Sequence, residues 1–104
     1  MLEQFIMIMF LALRDKDIDS SCYSSDGKTL TEVKDTSPYL RISSTCEIIK
    51  DNCFNGLKTL FSFSFQENPN LTTIRDNSFN DCTNLTIINL SSCTKLKKNI
   101  FLCI

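Results

Sequence analysis

The sequence predicts a solenoid in which short strands stack side by side into a parallel sheet. The first observation is a repeat with a fixed period, since Ile49-Lys-Asp-Asn-Cys-Phe54-Asn returns 25 positions later as Ile74-Arg-Asp-Asn-Ser-Phe79-Asn. The second is an alternation of apolar and polar residues with the period of a β-strand inside the repeated region. Self-similarity at such a fixed period is typical of repeat architectures, in which each unit packs only against its neighbours.

A shorter pattern within each copy specifies the type of repeat. The pattern is L-x-x-Φ-x-Φ-x-x-[N/C]-x-x-L, with Φ an apolar residue, and it spans 60–71 with Asn68 at the polar position and 85–96 with Cys93 there. This is the leucine-rich-repeat frame, in which each unit adds one strand to the sheet. The predicted fold class is therefore a leucine-rich-repeat solenoid of α/β type, mostly β with short helical or 3-10 turns. We expect about two and a half turns of it, preceded by an N-terminal β-hairpin.

Residues 1–21 are predicted to form an apolar N-terminal segment and a polar loop. The nine consecutive apolar residues Phe5 to Leu13 match the apolar region of a signal peptide in length, but neither a preceding basic residue nor a small-residue cleavage site accompanies them. The alternatives are a strand or helix that covers the end of the solenoid, or a start at Met7 or Met9. The run is shorter than the roughly 20 residues of a transmembrane helix.

Residues 22–38 are predicted to form a capping hairpin and a turn. Asp26-Gly27 is a dipeptide that supplies the positive φ angles of a tight hairpin turn. Pro38 disfavours helical geometry at Ser37 and therefore ends this segment in an extended conformation.

The repeats are predicted to begin with a strand at 39–42, which lies 23 positions before the strand at 62–65. Alternation in the second of these strands places Phe63 and Phe65 on the inward side and the two serines on the outward side. The same layout returns at 87–90, with Ile88 and Leu90 inward.

The repeat region 39–104 is predicted to be incomplete at its C-terminal end. The period requires an apolar residue at position 99, where Asn99 stands. Solenoids need a cap on the last unit, and an uncovered apolar edge strand pairs readily with another chain. Two hypotheses follow, a fragment of a longer array or self-association through the uncapped C-terminal end.

Composition excludes several classes of function. Lys and Arg together number 11 against 12 for Asp and Glu, so bulk charge predicts neither nucleic acid nor an anionic membrane as a partner. The absence of His removes the commonest general base and metal ligand, and it leaves thiols without a base to activate them. Asp15, Asp17 and Asp19 lack the Gly and the terminal Glu of a calcium loop and are predicted to lie in a solvated loop. No catalytic residue, cofactor or metal site is predicted.

Six cysteines allow either a disulfide framework or buried thiols. The repeat favours buried thiols, because Cys82 stands where Leu57 stands one period earlier and Cys53 adjoins the apolar Phe54. The six are Cys22, Cys46, Cys53, Cys82, Cys93 and Cys103.

Residues 22–99 resemble the BspA-type leucine-rich-repeat proteins, known as bacterial and protozoan surface antigens. The segment 79–90 is similar to one half of the family's repeat signature, F-x-x-C-x-x-L-x-x-I-x-L/I. The segment 42–54 is similar to the other half of that signature. In this segment Ser43 replaces a Pro, Cys46 replaces a Val and Cys53 replaces an Ala. The resemblance implies a cell-surface or secreted adhesion role, with a protein or extracellular-matrix ligand and no enzymatic activity.

The outward side of the sheet is the predicted ligand-binding surface, because solenoids bind through extended surfaces of this kind. The candidate residues are Arg41, Ser62, Ser64, Ile87 and Asn89. The face holds little Tyr, Trp or Arg, so a weak or multivalent interaction is expected. The alternative is that these are ordinary solvent-facing strand positions.

The sequence thus predicts a non-enzymatic interaction or adhesion module of the BspA-like type, without nucleic-acid partners or a transmembrane segment. The alternative is a truncated repeat fragment with a purely structural role or no independent function, since three or more units are usually needed for stability. If the chain is secreted, Asn70, Asn84 and Asn89 lie in glycosylation sequons.

Overall fold

The chain passes alternately through two parallel sheets. The computed structural model describes residues 15–97, so the apolar segment 5–13, Cys103 and the predicted break at Asn99 lie outside the described residues. The first sheet has the order β1 (Lys16–Asp17), β3 (Tyr39–Ile42) and β5 (Ser62–Phe65), and the second has the order β2 (Thr29–Leu30), β4 (Ile48–Ile49) and β6 (Thr73–Ile74).

The registers of the sheets reproduce the spacing of the repeat. Each residue of β3 pairs with the residue 23 positions later in β5, and each residue of β4 pairs with the one 25 positions later in β6. An isolated parallel bridge then joins Ser62 to Ile87, again 25 positions later. One period of the sequence is therefore one passage through both sheets. The second sheet is a finding that the sequence pattern, with its single strand per unit, does not predict.

Short helical or 3-10 turns are predicted between the repeated strands. The structure instead has successive hydrogen-bonded turns there, and these connect the two sheets. Among residues 15–97, a 3-10 helix occurs at Ser20–Cys22, in the N-terminal part. In the repeats, positive φ angles at Asn52 (60°) and Gly56 (75°) recur 25 positions later at Asn77 (58°) and Asp81 (60°). A residue in the left-handed region cannot continue a right-handed helix, so each turn ends after one hydrogen bond.

The loop predicted over 15–21 is wrong at Lys16–Asp17, which form β1 and pair with Leu40 and Arg41 of β3. Both β1 residues are exposed, so this edge strand has no apolar alternation by which the sequence could reveal it. Tyr39–Ile42 is accordingly the second strand of its sheet. The division of the chain at residues 21 and 38 stays a prediction.

The hairpin predicted around Asp26-Gly27 is confirmed. Tyr23 and Leu30 form an antiparallel bridge, and the Ser24 N–H donates to the Thr29 carbonyl at 2.8 Å. Only Gly27 of the predicted dipeptide has a positive φ, at 75°. The returning strand of the hairpin is β2, which continues into the second sheet by pairing with β4.

A column of stacked aromatic rings occupies the core. Phe79 stacks on Phe54 with ring centroids 4.8 Å apart and on Phe63 at 4.9 Å, with interplanar angles of 11° and 14°. The inward orientation predicted for Ile88 and Leu90 is confirmed, because both pack against this core. Four of the cysteines are buried around it as predicted: Cys46, Cys53, Cys82 and Cys93.

The polar position of the repeat frame differs between its two copies. Cys93 is buried, with 5% of its surface exposed, whereas Asn68 is exposed and has a φ of 55°. Asparagine tolerates this left-handed conformation, and the next residue, Pro69, is buried instead. Asn68 and Cys93 are therefore aligned in the sequence but differ in burial.

Candidate ligand-binding face

The outward face of the first sheet is built by every second residue of its strands. The parallel register brings Asp17, Arg41 and Ser64 into one row across β1, β3 and β5, and the bridge at Ser62 continues the sheet to Ile87. We define the outward face as Asp15, Asp17, Tyr39, Arg41, Ser62, Ser64, Ile87 and Asn89.

All five residues predicted from the sequence lie on this face. Arg41, Ser62 and Ser64 are half-buried, whereas Ile87 and Asn89 are exposed. Ile87 is 49% exposed, and among residues 15–97 it is the one large apolar residue that is exposed. Strand pairing thus brings Arg41, Ser62, Ser64 and Ile87 together. Asn89 lies two positions after the bridge, outside any strand. The role of all five residues in binding stays a prediction.

Arg41 is engaged within the molecule. Its Nε lies 2.6 Å from Oδ1 of Asp17, and 29% of its side chain is exposed against 55% for Asp17. The hydrogen bond from Arg41 lowers the pKa of Asp17, and the same bond raises the pKa of Arg41. A ligand therefore meets a neutralised pair at this position.

Further polar contacts on the same side link the end of β5 with the beginning of the chain's first strand, across β3. The Ser64 hydroxyl donates to Oδ2 of Asp15 at 2.8 Å. The Gln66 amide donates to Oδ1 of Asp17 at 3.4 Å, and its oxygen accepts from the Ser44 N–H at 3.2 Å. Asp15 and Asp17 are members of the face that were not predicted from the sequence. The signal was the alternation Asp15-x-Asp17, which stands about one period before Tyr39-x-Arg41.

The two ends of the strands differ in polarity on this face. At their N-terminal ends, the half-buried Tyr39 contacts the ring of Phe61 edge-on, with ring centroids 5.8 Å apart. Ile87 lies beside Ser62, with which it forms a parallel bridge. At their C-terminal ends stand the polar Arg41, Ser64 and Asn89. The face is consequently amphipathic.

A depression of ≈ 440 Å³ adjoins the polar end of the face. It is lined by Asp17, Arg41, Phe65, Gln66 and Glu67. Acidic side chains outnumber the basic one in this lining, and the basic one is already paired. The depression therefore favours cationic or neutral groups of a partner.

The three sequon asparagines have different surroundings. Nδ2 of Asn70, the atom that would carry a glycan, donates to the Ser44 carbonyl at 2.9 Å in a half-buried setting. Nδ2 of Asn84 donates to the Lys58 carbonyl at the surface. Asn89 is exposed, and its Oδ1 accepts from the backbone and hydroxyl of Ser91.

The thiols have raised pKa values. Burial raises the pKa of Cys46 to about 11 and raises that of Cys53 further. Because the thiolate is the nucleophile, these groups are inert at neutral pH. Within residues 15–97, no group of three or more Cys, Asp or Glu side chains could hold a metal ion, and no helix there is long and apolar enough to cross a membrane.

Comparison with known proteins identifies one match. The family model described as "BspA type Leucine rich repeat region (6 copies)" matches residues 16–104. No curated protein and no solved structure matches the chain. The match includes β1 and the hairpin as well as the repeated strands.

Proposed function

The chain belongs to the BspA-type leucine-rich-repeat family, and from this premise we propose that it is a non-enzymatic protein-interaction and adhesion module of the surface-antigen type. Repeats of this family are generally non-enzymatic, and the raised thiol pKa values agree with that role. We infer that the two parallel sheets form a leucine-rich-repeat solenoid of about two and a half turns.

The observation that carries the proposal is the continuous register of the first sheet. Parallel pairing aligns the side chains of successive strands into rows, so the paired part of the outward face extends from Asp17 to Ile87. A rigid surface of aligned strand residues costs little conformational entropy on binding. Binding through such a face is the usual mode of solenoid repeats.

The chemistry of the face favours a protein or extracellular-matrix ligand. Tyr39 and Ile87 offer apolar contact at one end, and Ser64 and Asn89 offer hydrogen bonds at the other. The charges of Arg41 and Asp17 neutralise each other, and Glu67 lines the adjoining depression, so the face favours neutral or cationic groups of a partner over anionic ones. The interaction of one copy is expected to be weak and to gain strength through multivalency.

We place this module at the cell surface or in secreted material, as the family suggests. In that setting Asn84 and Asn89 are the sequons that a glycosylating enzyme reaches, because both residues are exposed, whereas Asn70 is half-buried. A glycan on Asn89 would cover the outward face, so material active in adhesion is expected to carry Asn89 unmodified. Mass spectrometry of native protein measures the occupancy of each site.

The outward face is tested with the double variant Ser62→Asp/Asn89→Asp in the full chain. Two carboxylates at these positions place charges where a partner must dehydrate the surface, so capture on immobilised collagen and laminin should weaken by about tenfold or more. The matched control is Thr83→Asp/Thr94→Asp, which adds the same charge at exposed turn positions away from the face.

Circular dichroism verifies that both variants remain folded. Unchanged capture by the face variant would contradict the proposal, as would failure of the unmodified chain to bind either matrix protein. Sedimentation at several concentrations accompanies the assay. It also examines self-association through the C-terminal end, which stays a proposal and predicts concentration-dependent dimers.

A further inference from the structure

A second depression lies between the hairpin and the turn that follows β3. Its volume is ≈ 470 Å³, within the range of small-ligand sites. The walls come from three separate parts of the chain, and their residues are Ile18, Ser20, Tyr23, Ser24, Ser25, Gly27, Ser43, Thr45 and Gln66. We call it the hydroxyl groove.

The lining of this groove is polar without being charged. Five of its side chains are Ser or Thr hydroxyls, one is a phenol and one is an amide. A hydroxyl both donates and accepts, and it rotates to suit its partner. Neutral groups also lose less on dehydration than charged ones. This set matches a ligand that is itself rich in hydroxyl groups.

Part of the lining is held rigid by internal hydrogen bonds. The Thr45 hydroxyl donates to the Gly27 carbonyl at 3.1 Å, which joins the two sides of the groove. The hydroxyls of Ser43 and Thr45 contact each other at 2.9 Å. The Ser43 N–H donates to the Tyr23 hydroxyl at 2.9 Å and fixes the phenol at the wall. The groove is therefore preorganised.

Other lining groups are available to a ligand. Among residues 15–97, the side chains of Ser20 and Ser25 have no hydrogen-bond partner, and both residues are exposed. The Tyr23 hydroxyl accepts from Ser43 and keeps its own proton to donate. These three polar groups all belong to the segment of the lining that precedes Gly27.

The surroundings of the groove are acidic. Asp19 adjoins Ser20, and hydrogen bonds from Ser21 lower the pKa of its carboxyl. Asp26 adjoins Ser25, and a hydrogen bond from Ser24 lowers the pKa of its carboxyl. The nearby Lys28 lies 3.9 Å from a Glu47 oxygen. The field at the groove therefore disfavours anions.

From this geometry we propose that the hydroxyl groove binds a neutral oligosaccharide. Hydroxyls of the sugar would pair with Ser20, Ser25 and Tyr23, and the ionised carboxylates around the groove would exclude sialylated or sulfated sugars. A peptide fits less well, because Ile18 is the single aliphatic residue of the lining and is itself buried, with 6% exposed. The sugar can be free or attached to a glycoprotein, since the recognising chemistry is the same.

The test uses the full chain on a printed array of neutral, sialylated and sulfated glycans, with lactose and sialyllactose as a matched pair. We expect retention on at least one neutral glycan and none on its sialylated or sulfated form. The variant Ser20→Ala/Ser25→Ala should weaken that retention by about tenfold, because it removes two neutral hydrogen bonds. Both residues are exposed, so the variant should fold normally.

The control Thr83→Ala/Thr94→Ala removes two exposed hydroxyls elsewhere and should bind like the unmodified chain. Absence of neutral glycans from the retained set, equal retention of the sialylated partner, or indifference to Ser20→Ala/Ser25→Ala would each overturn the proposal. The Ser62→Asp/Asn89→Asp variant separates this groove from the outward face, because it should lose matrix binding and keep glycan binding. Two further binding measurements distinguish the two sources of the sugar. The first is made after free glycans have been removed, and the second uses a glycoprotein whose glycans have been cleaved.

Discussion

The two copies of the repeat and the N-terminal part of the chain reach the same pair of sheets by different means. In 49–57 and its copy 74–82, positive φ angles recur at Asn52 and Asn77 and at Gly56 and Asp81. The N–H groups of Asn52, Phe54 and Gly56 donate to carbonyls of the second copy, at Asp76, Ser78 and Asn80. The two copies are therefore in direct backbone register.

Residues 15–38, the described N-terminal part, have neither this regular spacing nor aromatic stacking. Its β2 places Thr29 opposite Ile48, a shorter offset along the chain than the one from Ile48 to Thr73. Its β1 pairs with β3 and is also held by two ion pairs, Asp17 with Arg41 and Lys16 with Asp35 at 2.7 Å. Apolar stacking thus stabilises the repeats, whereas polar contacts position the first strand. The comparison predicts large losses for changes in the repeats and small, pH-dependent losses at the N-terminal edge.

The largest effect is expected for Phe79→Ala. This ring is 1% exposed and stacks on both Phe54 and Phe63, so its removal leaves a cavity in the centre of the column. Such truncations cost about 3–5 kcal/mol, a large part of the roughly 5–15 kcal/mol that stabilises a domain. Urea unfolding followed by circular dichroism measures the loss.

The matched control for Phe79 is Tyr39→Ala, which removes a half-buried ring that contacts Phe61 edge-on. Its loss should be less than half that of Phe79→Ala. Equal losses for the two variants would show that stability is not concentrated in the stacked column.

The sequence predicted those features that depend on the period of apolar residues. The repeat of 49–55 at 74–80 indicated the parallel register, and the alternation around Phe63 indicated the inward and outward sides of β5. It missed β1, because an exposed strand of Lys16 and Asp17 has no apolar signature. It also missed the environment of Asn68, where a positive φ moves the buried position to Pro69. The aligned Cys93 does not share this positive φ, so the repeat pattern gives no sign of it.

The candidate site was predicted to a similar extent. The five residues of the predicted surface share one face, because face membership follows from alternation alone. Their partners do not follow from alternation. The pairing of Arg41 with Asp17 joins residues on different strands, and the hydroxyl groove joins the hairpin to the turn at Ser43. Both depend on tertiary contacts that the local pattern does not encode.

A smaller effect, of opposite sign, is expected for Asp81→Gly. Gly56 has a φ of 75° in the first copy, and Asp81 has a φ of 60° at the same position of the second. A side chain in the left-handed region is strained, so glycine should stabilise the second copy by up to about 1 kcal/mol despite its greater freedom in the unfolded chain. Thermal unfolding provides the measurement.

The reciprocal variant Gly56→Ala serves as the control for Asp81→Gly. A Cβ at this position would meet no atom within 4 Å, so any loss arises from the backbone conformation and not from a clash. Destabilisation by Gly56→Ala together with stabilisation by Asp81→Gly supports equivalent backbones in the two copies. Effects of the same sign in both variants would refute that equivalence.

The smallest effect is expected for Asp35→Asn at the N-terminal edge. A hydrogen bond from Lys16 lowers the pKa of Asp35 to about 2, against about 4 in an unfolded chain. A lowered pKa stabilises the folded state above pH 4, and this contribution disappears as the pH falls from about 4 to about 2. Because 60% of the Lys16 side chain is exposed, the ion pair is screened and the loss in Asp35→Asn should be small.

Asparagine keeps an oxygen that can accept from the Ser37 N–H, as Asp35 does at 2.9 Å, so the variant isolates the charge. Unfolding midpoints of the unmodified chain and of Asp35→Asn should differ at pH 7, converge near pH 2, and approach each other in 1 M salt, where the Debye length is about 3 Å. A difference that persists at low pH and in high salt would mean that β1 is held by packing, as in the repeats. The contrast between the two parts of the molecule would then be one of sequence regularity and not of the forces involved.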